Sequence, residues 1–313
     1  MMSKEEKKMK KILFFVFLIS IPLTVTAMSA GAPPAESAKG DNYIFIFQVT
    51  RYDLNIAGAV DSIFNNIIKP EDSLTIFTPV KSYSFSKNTR KNQPKEKLVE
   101  ITKKVLKRDI TIGTADYNRM LGNMAQLIRE LNDAGGTGSS KSTIGSTSLQ
   151  GSSTVKNILV NYSQLLDNIR SLRKLDGPFF LGLAQTFKNL KGKNYLYILY
   201  QKELRPIPRN SLIANLKDIR EIRFDVMSLF ETGIDKDIMD VKKVSQAMKA
   251  GSVTVNFIYI NMDTGKGMST QLKEFSSDIY DAFSKLARAT GGIVETTSKP
   301  VKVLKKAVKG SQL

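Results

Sequence analysis

Asp41-Asn-Tyr-Ile-Phe-Ile-Phe-Gln-Val-Thr-Arg-Tyr-Asp53 is the stretch that decides how this chain folds. Its five consecutive apolar residues, Tyr43 to Phe47, are too few for a core helix and are bounded by polar residues. A run of that kind predicts a strand buried on both faces, the central strand of a parallel sheet. The residues leaving its C-terminal end are Gln48, Thr50, Arg51 and Tyr52. They stand where open α/β sheets gather their functional groups.

Downstream, Ile56, Val60, Ile63 and Ile67 recur at i, i+4, i+7 and i+11 and predict a helix closed by Lys69-Pro70. Leu74 to Phe77 reads as a second buried strand and Tyr83-Ser-Phe85 as a short edge strand. From Lys87 the chain turns polar and basic. Leu98, Ile101 and Val105 predict the buried face of one helix, and Met120, Met124, Leu127 and Leu131 that of another. Residues 135–154 are rich in Gly, Ser and Thr and read as a mobile loop. Helical periodicity resumes from Ile158 to Leu172, Asp176-Gly-Pro178 is a turn, and Phe180 to Leu190 reads as a helix.

Tyr195 to Tyr200 is a second strand of the central type, followed by an irregular turn at Pro206 and Pro208. Helices through Leu212–Ile219 and Ile238–Met248 flank the way to a strand at Val253–Ile260. Phe275, Ile279, Phe283 and Leu286 mark an amphipathic helix ending at Thr290-Gly291-Gly292, whose glycines supply a left-handed C-terminal turn. Ile293-Val294 is a short strand, and Val301, Leu304 and Val308 form a last helix. This alternation predicts an α/β domain over 41–310, a doubly wound and mostly parallel sheet with a helical insertion at 88–175.

Composition narrows the chemistry. With no Cys and no His among 313 residues, disulfides, zinc sites, thiolate nucleophiles and His-based acid–base pairs are excluded. Lys4, Lys7, Lys8, Lys10 and Lys11 precede an apolar run from Ile12 to Ile21, Pro22 breaks it, and Val25-Thr-Ala27 fits a cleavage site. Residues 1–27 therefore read as a signal peptide, with 28–40 as a flexible mature N-terminus and a periplasmic or extracellular destination. An uncleaved anchor is the rival, although the run falls short of the ~20 residues that span a bilayer. Of the formal +18, a net +3 lies in residues 1–27, leaving +15 for an acidic protein partner or an anionic envelope surface. An exported destination argues against nucleic acid.

Three stretches carry a resemblance. They are Tyr43–Phe47 with its following helix, Lys191-Gly-Lys-Asn-Tyr-Leu-Tyr-Ile-Leu199, and Phe283-Ser-Lys-Leu-Ala-Arg-Ala-Thr-Gly-Gly-Ile-Val294. In their order and spacing they resemble the von Willebrand factor type A family, in particular its bacterial exported members, over residues 41–87 and 176–310. The resemblance implies a Rossmann-like fold and a magnesium site at the strand ends. That site is built from an Asp-x-Ser-x-Ser motif, a second-loop Thr and a fourth-loop Asp. Here Gln48 falls at the Asp position, and Thr50 and Tyr52 at the two Ser positions. Pro178 stands at the Thr, and Tyr200-Gln201-Lys202 at the fourth-loop Thr-Asp-Gly. Magnesium needs hard oxygens with carboxylate charge nearby, so the matched positions imply a degenerate site with no metal and no cofactor. Asp53 and Asp176 are the carboxylates able to rescue it, but their places in the sequence suit a helix cap and a turn.

The implied function is a non-catalytic, metal-independent protein-binding module. Its candidate contacts are Gln48, Thr50, Arg51, Tyr52, Asp176, Gln201 and Lys202. A metal-dependent adhesion domain with a rebuilt site and a hydrolase working through carboxylates alone are the alternatives. Gly135-Gly-Thr-Gly-Ser-Ser-Lys141-Ser142 lacks the second glycine of a phosphate loop and the strand that should precede it. Asp263-Thr-Gly265 is a single copy of a triplet that works only in pairs. The strand aromatics, among them Tyr43, Phe45, Tyr195 and Tyr197, read as core and not as a stacking platform. The Lys-rich stretch from Lys81 to Arg108 is either a docking surface or a solvated face.

Overall fold

The computed structural model describes residues 40–135, 148–173, 176–217, 223–231, 239–261 and 271–310. β1 (Asn42–Gln48) lies near the middle of a six-stranded sheet, with β2 (Ser73–Phe77) on one side and β4 (Asn194–Gln201) on the other. β6 (Val253–Ile260) and β8 (Val294–Thr297) continue the sheet beyond β4, and all of these pairings are parallel. Only β3 (Ser82–Phe85), on the far edge beside β2, runs antiparallel. The order β3-β2-β1-β4-β6-β8, with helices on both faces, is an α/β arrangement of Rossmann-like type.

Alternation along β1 sorts its side chains between two cores. Phe45 and Phe47 pack with Ile56, Val60 and Ile63 of α1 (Leu54–Ser62, continued as a π-helical turn over Ile63–Ile67). Ile44 and Ile46 face the other way, toward Phe180 and Phe187 of a later helix and Phe283 of another. The aromatic residues belong to this packing: Phe45 stacks on Tyr197 with ring centroids 4.7 Å apart, and Tyr43 on Tyr195 at 5.0 Å.

After β3 come a short helix α2 (Lys87–Asn92) and the long α3 (Lys95–Gly113). The buried face of α3 is Leu98, Val99, Thr102, Leu106, Asp109 and Ile110, not the Leu98–Ile101–Val105 stripe that the spacing suggested. Ile101 is 41% exposed. Two polar residues disguise the true face, and each has its hydrogen bonds made. Thr102 Oγ1 donates to Leu98 O at 2.7 Å, and Asp109 accepts from Thr78, Tyr83 and Arg108. α3 packs on the main sheet beside α1, with Leu98, Leu106 and Ile110 in the same core as Phe45 and Phe47.

α4 (Ala115–Gly135) and α5 (Ser148–Leu172) pack together into a third core. α5 begins within the segment expected to be a loop, so residues 148–154 are helical; residues 136–147 lie outside the described residues. Serine-rich sequence suits the first turn of a helix as well as a loop. α6 (Gly177–Lys188) precedes β4, and the region expected as an irregular proline turn contains β5 (Leu204–Ile207). It pairs antiparallel with β7 (Gln271–Glu274), Pro206 opposite Leu272, in a two-stranded ribbon whose free edges tolerate a proline.

Two short helical segments follow, α7 (Asn210–Lys217) and α8 (Arg223–Val226, continued by a π turn over Met227–Glu231). Ile207, Leu212, Ile213, Val226 and Phe230 join α4 and α5 in the third core. Phe275 also lies there, immediately before α10 (Ser277–Ala289), and not on that helix's apolar face. α9 (Val241–Ala250) and α11 (Pro300–Gly310) complete the flanking helices, and Asp263-Thr-Gly265 lies outside the described residues.

A closed strand-end site

At the C-terminal edge of the sheet, Gln48 of β1 stands beside Tyr200 of β4, and Gln201 ends β4 one residue later. Gln201 is only 2% exposed. Its Oε1 accepts from the backbone N–H of Thr50 at 2.9 Å, from that of Arg51 at 2.9 Å and from Thr50 Oγ1 at 3.1 Å. One neutral carboxamide thus gathers the turn that leaves β1. The Thr50 carbonyl is held from the other side, by Thr114 Oγ1 at 3.2 Å and Asn118 Nδ2 at 3.4 Å, where α4 begins. Gln48 Oε1 is buried without a hydrogen-bond partner among the described residues.

The rest of the turn points outward or into the core. Arg51 is exposed, and Tyr52 lies half-buried against the core formed with α1. Burial, then the charges of Asp61 and Asp53, raise the Tyr52 phenol above its usual value. Asp53 caps α1, its Oδ1 accepting from Ile56 N at 2.9 Å. The next residue, Leu54, is 90% exposed.

Two candidates named from the sequence stand apart from this turn. Asp176 caps α6 by accepting from Phe179 N at 3.1 Å, with Pro178 in the first turn. Lys202 donates its backbone N–H to Ile260 O at 2.8 Å, and its Nζ pairs with Glu274 of β7 at 2.5 Å. The structure therefore brings Thr50, Arg51 and Gln201 together and leaves Asp176 and Lys202 with structural partners.

Sequence reasoning missed the ionic cluster beside this turn. Arg173, which follows α5, pairs with Glu203 between β4 and β5 and with Asp278 of α10 at 2.9 Å, all three side chains being 7% exposed. The Arg173 guanidinium also lies over the Phe275 ring at 4.1 Å. Burial works against the Arg173 charge, but Glu203, Tyr200 and Asp278 outweigh it and hold its pKa above the usual range. Burial raises the Glu203 carboxyl despite the opposing pull of Arg173 and Tyr200.

Ser276 ties the same cluster to the sheet, its Oγ accepting from Glu203 N at 3.0 Å and lying 2.5 Å from the Tyr259 hydroxyl. Tyr259 donates to Glu274 Oε1 at 2.7 Å, and the Tyr117 hydroxyl is buried without a partner among the described residues. The one sequence signal was Glu203 itself, a lone carboxylate between two apolar strands.

The cluster binds the third core to the sheet, and its carboxylates are held by an arginine that cannot give up its proton. Among the described residues, no group of three or more Asp, Glu, His or Cys converges as metal donors would. None of the described helices is long and apolar enough to cross a membrane. Comparisons with models of protein families, with curated proteins and with solved structures give no match to this chain.

Proposed function

We propose that this chain is an exported, non-catalytic interaction module of von Willebrand type A-like organisation that binds a protein partner without a metal. The observation that carries the reading is Gln201. A neutral carboxamide collects the strand-end turn with three hydrogen bonds at the place where the resembled family sets carboxylate and metal. Such a turn is rigid without an ion, so it can present Arg51 and Leu54 with little ordering cost. An exposed Arg beside an aliphatic side chain 90% open to solvent suits an acidic, partly apolar protein face. Tyr52, packed against the core, acts from beneath as support.

The test places a photo-crosslinking residue at Leu54 in the full chain, with a control at Val160, and irradiates in the native envelope fraction. The expected result is a discrete adduct at position 54 alone, unchanged by chelator and reduced roughly tenfold by Arg51→Ala. An adduct that disappears on chelation and returns with magnesium would sink the metal-free reading in favour of a rebuilt adhesion site.

A further inference from the structure

The outward face of α3 has a composition that the fold does not require. Lys97, Ile101, Lys104, Arg108 and Ile112 follow one another at intervals of four, three, four and four residues, which places them on one stripe of the helix. All are exposed, Ile101 by 41% and Ile112 by 59%. The carboxylates of the helix lie elsewhere. Glu96 and Glu100 line a groove of about 390 Å³ shared with Asp61, Asn65 and Lys103, where Lys103 pairs with Asp61 at 2.7 Å. Asp109 is buried on the sheet side.

The stripe continues past the end of the helix. The turn Thr78–Lys81 packs on Gly113, where an added Cβ would come within 2.6 Å of Pro79 Cβ, and this brings Val80, 38% exposed, to the Ile112 end. Lys81 lies over the Tyr83 ring, whose hydroxyl accepts from Arg108 Nη2 at 2.7 Å. Among the described residues no ion pair engages Lys97, Lys104 or Lys107.

We infer that this face of α3 docks on an anionic phospholipid surface. Isolated aliphatic side chains on a convex helix give a protein partner's anchor residues no pocket. In a headgroup layer the same groups reach the acyl boundary, while the flanking Lys97 and Lys104 stems extend to the phosphates and Arg108 stays paired with Asp109. Charge supplies the attraction and the isoleucines the depth, so binding is modest and falls with ionic strength. The inference is independent of the partner surface at Arg51 and Leu54, and its test leaves those residues unchanged.

The chain contains no Trp, so Ile112→Trp installs a single tryptophan, excited selectively over the tyrosines, on the stripe and Val160→Trp a control on α5. Both full-length variants are titrated with vesicles of phosphatidylcholine alone and of phosphatidylcholine with phosphatidylglycerol, including brominated acyl chains. The expected result is a blue shift and bromine quenching at position 112 only, with anionic vesicles only, even where another segment also tethers the chain. Adding Lys97→Glu, Lys104→Glu and Lys107→Glu should weaken that response by at least about tenfold. No response at 112, or an equal one with neutral vesicles, overturns the inference. A response to polyglutamate but not to vesicles overturns it too and assigns the face to acidic polypeptide.

Discussion

Asp109 of α3 accepts a hydrogen bond from the Tyr83 hydroxyl of β3 at 2.7 Å, and this contact seats the basic helix on the edge strand. Thr78 Oγ1 at 2.8 Å and Arg108 Nε at 2.9 Å complete the carboxylate's partners, with the side chain 1% exposed. Asp109→Ala should therefore cost about 2–4 kcal/mol in urea unfolding, because three donors lose a charged acceptor.

The same site fixes a pH dependence. Burial alone would raise the Asp109 pKa, but the bonds from Tyr83, Thr78 and Arg108 prevail and lower it from 3.8. A carboxyl depressed in the fold contributes stability that is fully present above its unfolded pKa and is lost as pH falls through the folded one. Wild-type protein should thus lose stability below pH about 3.9 more steeply than Asp109→Asn. Parallel slopes for the two proteins in acid unfolding would show that Asp109 does not contribute in this way.

Gln201 is the second test of the frame. Gln201→Leu keeps the volume and removes the acceptor shared by Thr50 and Arg51, and should destabilise by about 2–3 kcal/mol. Gln201→Glu keeps the acceptor and should retain most of that stability above neutral pH. Magnesium titration of the wild type followed by calorimetry should be flat to millimolar, because two carboxamides do not offset the dehydration of the ion. A sub-millimolar isotherm abolished by Thr50→Ala would refute this expectation.

The parallel sheet was legible because its strands are short and mostly apolar, with β1 and β4 carrying unbroken apolar runs. Tyr43–Phe47, Tyr195–Tyr200 and Val253–Ile260 all lie within observed strands. Apolar periodicity failed where burial is polar. Thr102 and Asp109 hid the true face of α3, and the ribbon of β5 and β7 carries Pro206, Arg205 and Lys273 where alternation was sought. Of the site, the turn at Thr50 and Arg51 could be named from its place at a strand end, and its partner Gln201 only through the family resemblance. The Arg173–Glu203–Asp278 cluster could not, since its members lie 30 and 105 residues apart and meet only through the third core.

That cluster makes a strong prediction about charge. Arg173→Met leaves Glu203 and Asp278 buried without a counter-charge and should cost about 3–5 kcal/mol at neutral pH. The Glu203 carboxyl, already raised by burial, then loses the guanidinium that pulls it down, so its favourable contribution is present at low pH and lost as pH rises. The variant should accordingly be less destabilised, relative to wild type, near pH 4.5 than at pH 7. A deficit that does not change with pH would mean that lost packing on Phe275, and not bared charge, accounts for the damage.

The Thr290-Gly291-Gly292 phrase separates two reasons for glycine that the sequence presents as one. Gly291 has φ +75° and open space around its missing Cβ, so only its backbone conformation asks for glycine. Gly292 lacks a positive φ, but a Cβ there would lie 1.9 Å from the Val255 carbonyl oxygen on β6. Its N–H caps α10 by donating to Ala287 O at 3.0 Å, and the next residue, Ile293, accepts from Phe257 N at 2.8 Å as β8 enters the sheet. Gly291→Ala should cost about 1 kcal/mol, the penalty for a left-handed residue with a side chain. Gly292→Ala must push β8 away from β6 and should cost at least about 3 kcal/mol, as overpacking against backbone has no rotamer to relieve it. Hydrogen exchange should locate the difference, with the β6–β8 amides losing protection in Gly292→Ala and keeping it in Gly291→Ala. Equal losses in the two variants would place the requirement in the turn conformation and not in the approach of the strands.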